Sequence, residues 1–299
     1  MNLNELVTAA EHASDAPPGS PEWSVRCTAS KVAAILGQSP WSTRYEVWHQ
    51  LAGNRASSSE PTYAMLRGTY LEDGVAKLWH ALNPEWQMEE TTTWRSKERP
   101  WQYATPDRLL LDPEGQLFNM EVKTTVTWDG WGPDGSTIVP PEYWRQAGWQ
   151  SDTLGLPVLL VALGPRFEMR VYELHFTEWE LETAREYVEE FLLTLPGRPN
   201  EQEPDPTPSD MDTLLEVTPV YRGWARELDD DNPDALALAE ARILIDALAG
   251  EMEESKFELV KRLEEAEALR WRGITLISRR SNGTINVAQR DTIRKALAA

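Results

Sequence analysis

Asp107, Glu121 and Lys123 are the residues whose types and spacing could do chemistry. They lie in ATPDRLLLDPEGQLFNMEVKTT, where two apolar runs flank the turn signal Asp112-Pro113-Glu114-Gly115 and read as a hairpin. Alternate residues of a strand share a face, so Glu121 and Lys123 project together while Met120 and Val122 turn toward a core. A three-residue loop over 113–115 places Asp107 opposite Glu121, whereas a four-residue loop over 112–115 pairs it with Met120. Pro106 marks a local irregularity, and both registers stay open. Two carboxylates and a lysine around one point suit metal-assisted phosphodiester hydrolysis. The carboxylates would hold a hard divalent cation, which stabilises charge on the phosphate and acidifies a bound water. Lys123 would orient that water or neutralise the developing charge. The alternative these three residues leave is a surface hairpin with one ion pair.

Helices on either side must position that hairpin. SKVAAILG reads as a short helix closed by Gly37, and SPWSTRYEVWHQLAG as a second, capped by Ser42 or Thr43 and ending at Gly53. NRASSSEPT is a loop. Over residues 64–82, Leu71, Val75, Leu78 and Leu82 form a helical stripe. PPEYWRQAGWQSDTLG is helical, LPVLLVAL and FEMRVYELHF are strands, and Thr177 with Glu180 opens a capped helix to about Leu195. The order predicts a mixed α/β domain over 23–195. Residues 1–22 read as a mobile arm, 196–233 as a Pro- and acid-rich linker, and 234–299 as an appendage. In that appendage a helical pattern over 234–269 precedes a hairpin around Asn282-Gly283.

The chain has 299 residues, 14 of them tryptophan, and a net charge of −20. No apolar run approaches the roughly 20 residues of a membrane span, and the N-terminus lacks the basic and apolar regions of a signal peptide. Cys27 stands alone, which excludes a disulfide framework and a cysteine-held metal cluster, and the expected compartment is the cytoplasm. His12, His49, His80 and His175 lack ligand spacing, so oxygen must hold any metal, which favours Mg2+ or Mn2+. The acidic balance opposes nucleic-acid binding unless cations gather locally. Most tryptophans belong to the core or to subunit contacts, but an exposed one, Trp41 or Trp48, could stack on bases.

Asp107, Glu121 and Lys123 resemble the PD-(D/E)XK nuclease signature, with 13 residues between the aspartate and E-V-K. Further segments resemble the phage lambda exonuclease and YqaJ-type viral recombinase family: CTASKVAAILGQSPWSTRYEVW (27–48), RGTYLEDGVAKLW (67–79), ATPD with MEVKT, and YWRQAGWQSDTLG (143–155). The likeness runs over about residues 23–176. It implies a restriction-endonuclease-like core, a central mixed β-sheet flanked by helices, with the long helix and hairpin appended. It implies Asp107 and Glu121 as metal ligands, the Val122 carbonyl as a third oxygen, Glu72 supporting the metal directly or through water, Lys123 as the catalytic lysine and Gln146 assisting. Arg26 and Ser30 fall where the family gathers a 5′ phosphate, although their spacing is shorter here than in lambda exonuclease; Arg67 and Arg108 flank the site as DNA contacts. The activity implied is a metal-dependent exonuclease degrading one strand of linear double-stranded DNA from the 5′ end, with two ions per site. A homo-oligomeric ring and a single-strand annealing partner are implied too. The alternatives are an endonuclease or repair or defence nuclease of other end preference, and a DNA-binding recombination adaptor without turnover.

Overall fold

The structure is a computed structural model that describes residues 2–17, 19–54, 62–218, 227, 229–264, 266–280, 282 and 284–298. The chain divides into two units, Met1–Val220 and Tyr221–Ala299. In the first, the strands are β1 (Ala10–His12), β2 (Cys27–Thr28), β3 (Gln87–Glu90), β4 (Trp94–Ser96), β5 (Gln102–Ala104), β6 (Arg108–Leu111), β7 (Leu117–Thr124), β8 (Val158–Leu163) and β9 (Met169–Leu174). Its helices are α1 (Pro21–Ser24), α2 (Ala29–Ile35), α3 (Arg44–Leu51), α4 (Tyr63–Leu82), α5 (Pro141–Leu154), α6 (Glu178–Leu193) and α7 (Met211–Val217).

A five-stranded sheet runs in the order β3-β6-β7-β8-β9, and a smaller one runs β1-β4-β5-β2. In the large sheet β7 and β8 are parallel and the other neighbours antiparallel. The side-chain period of two divides its faces. Phe118, Met120, Val122, Leu159 and Val161 pack with Val75, Ala76 and Trp79 of α4. Val158, Leu160 and Ala162 pack on the opposite face with Ala147 of α5. Glu121 and Lys123 therefore point toward α5, and the core that Met120 and Val122 meet is built on α4. This layering of a central mixed sheet between helices is the α/β architecture expected from the sequence. Beyond α5, Trp149 joins Val32 and Ile35 of α2, Trp48 of α3 and Phe191 of α6 in a second apolar layer.

Several elements follow the sequence closely. Gly37 adopts φ +68°, ending α2. The Thr43 hydroxyl accepts the Glu46 N–H at 3.0 Å and caps α3. Thr177 and Glu180 form a reciprocal capping box on α6. The expected 54–62 loop falls largely on residues 55–61, outside the described residues.

Elsewhere the structure differs. Residues 2–17, expected as a mobile arm, are packed: Leu3, Val7, Ala10, Ala13 and Ala16 are buried, and β1 pairs with β4. Small apolar residues spaced about every third position supply a buried side that a polar composition conceals. Residues 196–218, expected as a linker, also pack. Asp210 is buried, bonds the Thr43 hydroxyl and caps the turn at Thr207, and Glu203 lies 3.5 Å from His49. Part of the remaining stretch, residues 219–226 and 228, is outside the described residues. Trp48 is buried and its indole N–H donates to the Thr194 carbonyl at 3.2 Å, so it is a core residue unavailable to bases.

In the second unit, α8 spans Pro233–Lys261, and β10 (Ala268–Trp271), β11 (Ile274–Arg279) and β12 (Ile285–Val287) form an antiparallel sheet before α9 (Arg290–Ala298). The helix ends about eight residues earlier than the 234–269 pattern predicts, because ALRW is drawn into pairing with β11. β11 and β12 pair antiparallel as the expected hairpin, and Gly283 of the expected Asn282-Gly283 turn lies outside the described residues.

Candidate active site

The hairpin register places the carboxylates. Arg108 pairs with Met120 and Leu111 with Leu117, the alignment of the three-residue-loop reading. One residue past β6 the Asp107 N–H donates to the Met120 carbonyl at 3.0 Å, one residue out of that register, so the pairing becomes irregular beside Pro106. Pro106 breaks the strand immediately before it, and β5 ends at Ala104. The Asp107 carboxylate accepts the Val122 N–H at 2.6 Å, which fixes its orientation across the two strands.

Glu121 is 3% exposed and its carboxylate is enclosed by donors. Oε1 receives Lys123 Nζ and, at 2.5 Å, Gln146 Nε2; Oε2 receives Gln150 Nε2 at 2.6 Å. Gln146 and Gln150 are one helical turn apart on α5, and Tyr143 lies three residues before Gln146 on the same stripe. Lys123 Nζ stands 5.3 Å from the centre of the Tyr143 ring. Gln150, fully buried, was not singled out from the sequence. The signal for it was its place four residues after Gln146, on the same face of α5.

Glu72 enters from α4. Arg108 clasps that helix to the hairpin: Nη1 lies 3.7 Å from Glu72 and donates to the Asp107 carbonyl at 2.6 Å, and Nη2 donates to Asp73 at 2.9 Å. Arg108 is 8% exposed and its donors are committed, so it positions the site instead of reaching out to DNA as the sequence suggested. Arg67 donates to the Thr124 hydroxyl and carbonyl, both at 3.4 Å, at the end of β7. Arg26 and Ser30 are not gathered with the carboxylates. Arg26 lies 3.5 Å from Asp15 and over the Tyr103 ring, lining a cavity of about 560 Å3 with Trp101, Leu192 and Arg198. The Ser30 hydroxyl is 3.2 Å from that of Thr28. Trp23 links this patch to the site, donating to the Thr105 hydroxyl at 3.2 Å.

The charges are strongly coupled. Burial, then the Glu121 and Glu72 carboxylates, push Asp107 well above the usual carboxylate range, against the pull of Lys123. Burial also raises Glu72, opposed by Arg108 and reinforced by Glu121. For Lys123 burial works against the ammonium, but Glu121 and Asp107 outweigh it and hold its pKa above the ordinary lysine value. These neighbours therefore favour the protonated form of Lys123. Among the described residues no three His, Cys, Asp or Glu side chains are gathered to hold one ion. The donors still suit a hard divalent cation: a buried carboxylate on Glu121 and a half-buried one on Asp107, whose mutual repulsion an added positive charge would relieve.

Residues 24–153 match the family model of the YqaJ-like viral recombinase domain, a span holding Glu72, Asp107, Glu121, Lys123, Gln146 and Gln150. This segment, under half of the chain, is similar to that domain. Among solved structures, the chain is similar to the alkaline exonuclease LHK-Exo of Laribacter hongkongensis, at 22% identity and TM-score 0.46 over 58% of this chain and 91% of that one. The same exonuclease in complex with dAMP gives 20% identity and TM-score 0.47, over 57% and 88%. No curated protein matches the chain. Within the matched span the sheet face bearing Glu121 and Lys123 is closed by α5, so its polar centre is bounded on one side by glutamine amides. Among the described residues no helix is long and apolar enough to cross a membrane.

Proposed function

We propose that the chain is a metal-dependent DNA exonuclease that degrades one strand of linear double-stranded DNA in the 5′-to-3′ direction, exposing a 3′ strand for recombination by single-strand annealing. The observation that carries this reading is the juxtaposition of Asp107, Glu121 and Lys123 on one sheet face within a YqaJ-like domain. Asp107, Glu121 and the Val122 carbonyl would hold Mg2+ or Mn2+, up to two ions, with Glu72 supporting them directly or through water. The bound ion supplies charge stabilisation at the phosphate and acidifies a water. Gln146 and Gln150 hold Glu121 in place. Lys123 keeps its proton and neutralises charge developing on the scissile phosphate. Arg67 is the cation nearest the end of β7 for an adjoining phosphate, and Arg26 with Ser30 the group for the 5′ phosphate. The net charge of −20 fits a homo-oligomeric ring whose acidic surface faces outward. The second unit is the candidate for oligomer contacts or for an annealing protein, and the expected compartment is the cytoplasm of a bacterial host.

Digestion of linear duplex labelled separately at each 5′ and 3′ end tests the reading, with Mg2+ and with chelator, beside a covalently closed circle. Early release of the 5′ label, in metal only and with the circle intact, is the expected result. Cutting of the circle would replace the exonuclease with an endonuclease. DNA binding without cleavage of any substrate would leave a recombination adaptor.

A further inference from the structure

Trp41 has no part in the chemistry described above, yet the fold delivers it to that site. Its side chain is 65% exposed, an unfavourable state for so large an apolar group. One flank rests on Tyr143, ring centres 5.7 Å apart and planes tilted by 38°. The same Tyr143 ring stands 5.3 Å from Lys123 Nζ, and behind it Trp131 packs at 5.2 Å. Among the cations that act on the Tyr143 hydroxyl are both Lys123 and Arg67.

The segment carrying Trp41 is anchored. The Gln38 side chain accepts from Arg145 Nε of α5 at 2.7 Å, and the Ser39 hydroxyl accepts the N–H groups of Trp41 and Ser42 at 3.2 and 3.1 Å. Trp41 is thus an anchored aromatic plane against Tyr143, which in turn adjoins two cations, Lys123 and Arg67. That pairing matches the two halves of a nucleotide: the cations take phosphate, and the ring takes a flat base of any sequence. Fixing the ring in advance lowers the ordering cost of binding.

We propose that Trp41, backed by Tyr143, is a stacking subsite for a nucleobase next to the scissile phosphate. The inference rests on the nuclease reading for the identity of the ligand, and its test is chosen to separate the two. The probe is a duplex carrying 2-aminopurine at each of the first three nucleotides of the 5′ end in turn. It is bound to the full chain in chelator and in calcium. The wild type should quench the probe at one of these positions, and Trp41→Phe should retain the quenching. Trp41→Ala should lose it, with affinity falling by about 5- to 150-fold, the range found for removal of a base-stacking aromatic. An abasic nucleotide at that position should weaken the wild type by a similar factor and leave Trp41→Ala unchanged. Equal quenching and equal affinity in wild type and Trp41→Ala would overturn the proposal, as would an abasic penalty that persists undiminished in the variant. Magnesium-dependent cleavage by the same preparation reports separately. Cleavage without Trp41-dependent quenching defeats the stacking subsite alone, and quenching without cleavage defeats the nuclease reading alone.

Discussion

Replacing Lys31 by methionine should change the pH dependence of stability in a direction fixed by the structure. Lys31 lies in the first turn of α2, is 7% exposed, and its Nζ has the Thr28 hydroxyl at 3.2 Å and the Trp23 ring at 4.8 Å for company. It forms no ion pair among the described residues. Burial, opposed weakly by Cys27, lowers its pKa from 10.5 to about 8. Burial holds the Cys27 thiol at about 12, so that group stays neutral through the same window. Below pH 8 the lysine is protonated in both folded and unfolded chains, and the cost of the buried ammonium is fully present. At about 1.4 kcal/mol for each tenfold change in proton affinity, that cost is about 3 kcal/mol. Between pH 8 and 10.5 the unfolded chain binds more protons, so the wild type gains stability as pH rises. Lys31→Met carries no such charge. Its stability relative to the wild type should therefore be highest near neutrality and should fall by about 2–3 kcal/mol between pH 7 and pH 10. Urea unfolding followed by tryptophan fluorescence measures this as a change in the midpoint difference of about 1–3 M. A midpoint difference that stays flat from pH 7 to pH 10 would refute the buried, unpaired ammonium.

Further outcomes follow from the site itself. Lys123→Met leaves the buried Glu121 and half-buried Asp107 carboxylates without their cation, at a cost of about 3–5 kcal/mol, and Mg2+ should restore part of it. Thermal unfolding in chelator and in Mg2+ checks this, and the variant should cleave no DNA under either condition. Gln150→Leu removes a donor from a charged, buried oxygen and should cost about 2 kcal/mol by urea unfolding; a neutral effect would mean that Glu121 does not depend on α5 at that oxygen. Trp48→Ala should lose about 3–5 kcal/mol from the core, whereas Trp41→Ala should stay within about 0.5 kcal/mol of the wild type.

The chemistry-bearing triad was legible because its signals are local. Turn residues at 112–115, a period of two in β7 and an acid two residues before a lysine all act over a few positions, as do the Thr43 and Thr177 caps. The YqaJ-like segments could be placed on helices for the same reason. Other features depended on distant parts of the chain. The register of the β6–β7 hairpin was open between two loop lengths, because the alternation fits either until strand pairing chooses. Gln150 is an ordinary helix residue until α5 lies across β7 and its amide meets Glu121. Arg108 looks like a DNA contact until α4 brings Asp73 and Glu72 to its guanidinium.

Trp41 and Trp48 show the same division most plainly. Seven residues apart and identical in type, they could not be distinguished by composition or spacing. Packing of α3 against the end of α6 buries Trp48, while the anchored turn before α3 leaves Trp41 beside Tyr143. The N-terminal residues and the proline-rich stretch after α6 were misread because their polar composition hides the few contacts that hold them, Leu3 among apolar neighbours and Asp210 on Thr43. Sequence by itself determined which residue types stand two, three or four positions apart, and hence the strands, the helices and the candidate chemistry. Tertiary structure alone decided which charges are buried together, since desolvation and Coulomb coupling depend on distances between residues far apart in the chain.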